Sequence, residues 1–98
     1  VAIALQSNEI GAFVYARSGL SSRHGVTMAN GVGVVDSDYR GELKVPVVNL
    51  SMQDYTIEPG ERIAQLVLHP VIPYELEEVS ALDETQRGAG GFGSSGRK

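Results

Sequence analysis

No stretch of this chain carries a sustained apolar stripe at helical spacing; short apolar runs are instead cut by glycine, proline and polar turns. A surface helix needs an apolar residue roughly every three to four positions over several turns, whereas a half-buried strand needs only brief alternation. The constraint favours many short strands. VAIALQ opens in the middle of an alternating pattern, with Val1, Ile3 and Leu5 on one strand face, so a further segment is expected upstream of Val1. After the turn-like SNEIG comes AFVYA, in which Phe13 and Tyr15 alternate, and then RSGLSSRHG, which has room for a short helical turn and no more. Residues 26–50 read as strands around a turn-rich centre, with Leu43, Val45 and Val47 alternating with Lys44 and Pro46. Pro46 has no N–H to give a ladder, which puts that strand at an edge or a bulge. DYTIEPGE reads as a short strand and a Pro-Gly turn, and RIAQLVLHPVI as the most apolar strand. The expected fold is all-β, a sandwich or barrel of short strands.

Composition narrows the function classes. Eight Lys and Arg against twelve Asp and Glu give a net charge of −4, which argues against a partner held mainly by phosphate neutralisation, such as duplex DNA or an anionic membrane. There is no cysteine, so disulfides, thiolate zinc sites and a cysteine nucleophile are excluded. His24 and His69 stand without partners at metal-ligand spacing and read as structural. With no membrane-length apolar run and no signal-peptide pattern, a soluble cytoplasmic domain is the expectation. Residues 74–84 are acidic and read as a solvated connector.

Several loops hold residue types suited to chemistry. RGAGGFGSSGRK admits two readings. It is either a flexible tail of linker composition, or a phosphate-cradling loop in which Arg87, Ser94 and Ser95 add donors and Phe92 stacks on a base. ARSGLSS places Arg17 and Ser18 beside Gly19, which are phosphate-ligand types, though Arg-Ser-Gly also occurs in ordinary surface turns. DSDYRGE gathers Asp36, Asp38, Arg40 and Glu42 around Tyr39, either as a solvated hairpin or with one Asp as a general base. Gln65 interrupts the apolar RIAQLVL and either faces water or needs a partner.

In this order the pieces resemble the trimeric dUTPase family over nearly the whole chain. ARSGLSSRHG is similar to that family's second motif, GVGVVDSDYRGELK to the third, GERIAQLVL to the fourth and RGAGGFGSSG to the fifth. The family's first motif, a Gly-Tyr-Asp-Leu-like segment, has no counterpart here, and Ala16 stands where the family often has Pro. The resemblance implies a jelly-roll-like distorted β-barrel over residues 1–86 and a flexible, Gly-rich nucleotide-covering arm over residues 87–98. It implies hydrolysis of dUTP to dUMP and pyrophosphate, which limits uracil incorporation into DNA, in a homotrimer with shared active sites. Mg2+ would be held mainly by the triphosphate, with no metal ligand assigned to this chain and no direct nucleic-acid binding.

Position by position, Asp36 would be the general base for a water attacking the α-phosphorus, and Tyr39 would exclude a 2′-hydroxyl. The hairpin of residues 30–39, Gly33 within it, would read uracil through backbone groups, with Asn30 contributing. Arg17, Ser18, Gly19 and Gln65 would contact phosphates. From a neighbouring subunit, Phe92 would cover the base while Arg87, Gly93 and Ser94 bind the γ-phosphate end. The related dCTP deaminases are the nearest rival, but they place a catalytic Glu on the strand after the hairpin; KVPVVN has none, and Glu42 is the nearest candidate. A non-catalytic nucleotide-binding or regulatory member of the family is the other alternative.

Overall fold

The computed structural model describes residues 1–93 and Gly96. Five short strands and one helix follow in the order β1 (Ile10–Ala16), α1 (Ser18–His24), β2 (Val26–Met28), β3 (Gly33–Val35), β4 (Val47–Asn49) and β5 (Ala64–Pro70). All pairings are antiparallel: β3-β1-β5 form one sheet and β2-β4 a second. The longest ladder joins β1 to β5, with Ile10 opposite Pro70 and Ala16 opposite Ala64.

Strand alternation sends Ala12 and Val14 inward from β1, where they meet Val35 of β3 and Met28 of β2 between the two sheets. Ile3, Leu5, Leu43, Val45 and Ala64 pack around this group. The opposite face of β1 carries Phe13 and Tyr15, both half-buried. Phe13 meets the His69 ring edge-on at 5.0 Å, and the Tyr15 hydroxyl lies 3.0 Å from His69 Nε2. These contacts agree with the structural reading of His69.

The fold is all-β apart from α1, but the sheets do not close into a barrel within one chain. Among the described residues, only Ala12, Val14, Val26, Met28 and Val35 are buried apolar side chains. The radius of gyration is 18.9 Å, against about 13 Å for a compact domain of this length. Leu66, Leu68, Ile72, Leu76 and Leu82 remain exposed.

Local expectations fare unevenly. Residues 1–5 are not a strand, although Ile3 and Leu5 turn to the core as the alternation predicts, and Leu43 N–H donates to Val1 O at 2.9 Å. Residues 43–45 also form no ladder; the strand begins at Val47, directly after Pro46, whose carbonyl accepts from Ala29 N–H at 2.9 Å. DYTI forms no strand either, while the Pro-Gly turn closes with Glu61 N–H on Glu58 O at 3.1 Å. RSGLSSRHG is more helical than expected. Ser18–His24 continues until Gly25, whose φ of 69° stops it, a left-handed conformation that glycine adopts without Cβ strain. A Cβ there would also lie 2.9 Å from Ser51 N.

Candidate functional site

Two polar clefts collect most of the residues singled out from the sequence. The first has a volume of about 230 Å³, and its walls include Asn30, Gly33, Asp36, Tyr39, Glu42 and Lys44. It opens above the β1–β3 ladder, in which Gly33 sits opposite Val14. Asp36 follows β3 directly and is exposed, and its carbonyl accepts from Tyr39 N–H at 3.1 Å in a tight turn. That turn folds Tyr39 back so that its hydroxyl donates to Glu42 O at 2.8 Å. Arg40 braces the same turn, donating from Nη1 to Ser37 O at 2.9 Å and to Tyr39 O at 3.1 Å. The arrangement presents two carboxylates, Asp36 and Glu42, in one cleft with the Tyr39 ring. It can accept a proton and exclude bulk.

The second cleft has a volume of about 320 Å³ and is lined by Arg17, Ser18, Gly19, Leu20, Arg62 and Gln65. β1 ends at Ala16, so Arg17 and the start of α1 form one wall. Gln65, opposite Tyr15 on β5, forms the other, and its Nε2 donates to Ala16 O at 3.2 Å. This answers the question its sequence position raised: Gln65 is exposed and has a partner. The first N–H groups of a helix have no acceptor within it. With two guanidiniums nearby and no carboxylate among the described lining residues, the cleft suits a polyanion.

Sequence reading brought out neither Lys44 nor Arg62. Lys44 alternates with Leu43 and Val45, and Arg62 opens the apolar run RIAQLVL; only their place in the folded chain marks them. The two clefts share no lining residue. Arg87, Phe92 and Gly93 line neither of them. The Arg87 guanidinium turns back to Gly90 O, and Phe92 is fully exposed at a φ of 51°. Ser94 lies outside the described residues. His24 stacks at 4.7 Å on Tyr55, whose hydroxyl donates to Glu61 Oε2 at 2.7 Å. Among the described residues no three His, Asp or Glu side chains gather to hold a metal, and no helix is long and apolar enough to cross a membrane.

The chain is thus a two-sheet β protein with an Asp–Tyr cleft and an Arg–Ser–Gln cleft, and comparison with known proteins places it. A family model described as dUTPase matches residues 1–96. The deoxyuridine 5'-triphosphate nucleotidohydrolase of Desulfitobacterium hafniense is 53% identical over 96 residues, covering 98% of this chain and 64% of its own length. The Fusobacterium nucleatum protein of the same name is 60% identical over 84 residues, 86% of this chain and 58% of its own. Among solved structures, the Staphylococcus bacteriophage 80alpha dUTPase with dUPNHPP superposes with a TM-score of 0.81 at 27% identity, over 98% of this chain and 72% of that one. The chain belongs to the dUTPase family. It spans about two-thirds or less of the length of these curated relatives.

Proposed function

We propose that the protein to which this chain belongs hydrolyses dUTP to dUMP and pyrophosphate in the cytoplasm, limiting uracil incorporation into DNA. One observation carries the reading: the residues that match the family's second, third and fourth motifs fall into two clefts whose chemistry differs in the way the reaction requires. Asp36, exposed beside Tyr39, is suited to take a proton from a water attacking the α-phosphorus. A positioned base of this kind supplies about 10²–10⁴ in rate. Tyr39 stands against the sugar and leaves no room for a 2′-hydroxyl, while Asn30 and the backbone about Gly33 face the base. Arg17, Ser18, Gly19 and Gln65 hold the phosphate chain, where positioning and charge neutralisation do most of the catalytic work.

The donor set fits a Mg2+ carried by the triphosphate, because Mg2+ keeps waters and binds phosphate oxygens without a dedicated protein cage. No residue of this chain is assigned to it; when bound, it would neutralise phosphate charge. The chain acts as a homotrimer with shared active sites. The separation of the two clefts, the five-residue core and the exposed leucines support that assembly. In it, the arm of one subunit brings Arg87, Phe92, Gly93 and Ser94 over a neighbour's nucleotide.

The test is ³¹P NMR of the full-length protein with Mg2+ and dUTP, with dCTP and UTP as controls. Pyrophosphate from dUTP alone is expected. Pyrophosphate from none of the three, or from all at similar rates, would overturn the reading.

A further inference from the structure

We propose that Asn30 is a self-modification site, where deamidation through the Gly31 nitrogen places a new carboxylate in the first cleft. The step is intramolecular. Gly31 N attacks Asn30 Cγ and closes a succinimide ring, and the side-chain nitrogen leaves as ammonia with the proton that Gly31 N gives up. Water then adds to either ring carbonyl and breaks its bond to nitrogen, leaving aspartate or isoaspartate. Asparagine is a thermolabile residue, most so before glycine, which has no Cβ to block the approach. Of Asn8, Asn30 and Asn49, only Asn30 precedes glycine; Glu9 and Leu50 follow the others.

The fold leaves this pair open. Asn30 and Gly31 are both exposed, and among the described residues no atom beyond the chain neighbours lies within 4 Å of where a Gly31 Cβ would be. Asn49 is held instead: its Oδ1 accepts from Ser51 N–H at 2.9 Å and its Nδ2 donates to Gln53 O at 2.8 Å. One contact acts as a brake. Gly31 N–H donates to Met28 O at 3.0 Å, so the nitrogen attacks only when that turn opens locally.

The position gives the change a consequence, which rests on the proposed function. Asn30 lines the first cleft with Asp36 and Glu42, and its Nδ2 lies 3.6 Å from where a Cβ on Gly33 would be. A carboxylate there joins those acids and loses the amide's donors, so a polyanionic nucleotide meets added repulsion. Nucleotide seated in the cleft holds the turn closed. The empty protein therefore ages, and the occupied one is protected.

The experiment incubates the full-length protein at mildly alkaline pH, with and without the non-hydrolysable analogue dUPNHPP, and follows each asparagine by peptide mass mapping. Asn30 is expected to exchange amide for carboxyl ahead of Asn8 and Asn49, and more slowly with dUPNHPP present. Asn30→Gln should keep its mass at that position over the same period, and Asn30→Asp should bind dUPNHPP at least about tenfold more weakly than wild type. No conversion at Asn30, or conversion no faster than at Asn8 and Asn49, would overturn the site. Equal dUPNHPP affinity of Asn30→Asp and wild type would overturn its consequence. Fresh wild type that does not bind dUPNHPP would overturn the nucleotide reading, while conversion at Asn30 would still be decided by its mass.

Discussion

The Tyr39 ring occupies the space where a side chain on residue 41 would begin: a Cβ built on Gly41 would lie 2.6 Å from Tyr39 Cζ and 2.9 Å from Cε1. Cβ atoms do not approach other side chains that closely, so any residue but glycine at position 41 shifts the Tyr39 ring, whose hydroxyl donates to Glu42 O. Gly41→Ala is therefore expected to act on substrate choice through Tyr39. The ratio of kcat/KM for dUTP over UTP should fall, in the same direction as for Tyr39→Ala. A ratio unchanged in both variants would remove Tyr39 as the steric gate.

Asp36 directly follows β3 in the first cleft, and Glu42 is the other acid on its walls among the described residues. Asp36→Asn keeps the shape and removes the basicity. Turnover should drop by at least about a hundredfold with nucleotide affinity retained, as steady-state kinetics and a binding titration would report. If Glu42→Gln gave the larger loss, the base would be reassigned.

Phe92 is fully exposed in the single chain and has an aromatic face to offer a base. Base–aromatic stacking is worth about 1–3 kcal/mol. Phe92→Ala should weaken dUPNHPP binding by an amount in that range and leave thermal stability alone. Equal affinities would mean that the arm does not cover the base.

Gly25 ends α1 in the left-handed region with Ser51 N close behind it. Gly25→Ala adds both backbone strain and a clash, at a cost of roughly 1–3 kcal/mol. Urea unfolding should show a lowered midpoint with the slope unchanged.

The hydrogen bond from Tyr55 to Glu61, with burial and the charges of Glu61 and Glu58 behind it, raises the Tyr55 pKa above the ordinary tyrosine value. A raised acid pKa means that the folded state holds the proton more tightly than the unfolded state does. The resulting stabilisation is complete below about pH 10 and disappears as pH climbs through the folded value. Stability of the wild type should thus fall more steeply than that of Tyr55→Phe in the alkaline range. Parallel curves would show the bond to be unimportant.

Strand positions with clean alternation were legible in the sequence. AFVYA and AQLVLHP pair with one another, Ala12 opposite Leu68 and Val14 opposite Leu66. Residues 43–45 and DYTI alternate equally well yet form no ladder; residues 43–45 meet the start of the chain through the single bond from Leu43 N–H to Val1 O. The helix was underestimated because Ser and Gly are weak helix formers; its length comes from the Gly25 stop and the anchoring of His24 on Tyr55. Of the site, Asp36, Tyr39, Arg17 and Gln65 stood out by residue type in recognisable motifs. Lys44 and Arg62 did not, because a charged residue flanking an apolar run looks the same whether it faces water or a cleft.

In the proposed homotrimer, dilution would act as a denaturant. With so few of the described residues buried within one copy, that assembly would cover part of the exposed apolar surface with other copies. Mass action then makes stability depend on how many copies share the solution, and ligands that bind only the assembled form add to it. For such a protein a melting temperature is a property of the concentration at which it was taken, and nucleotide scarcity and low abundance would loosen the fold together.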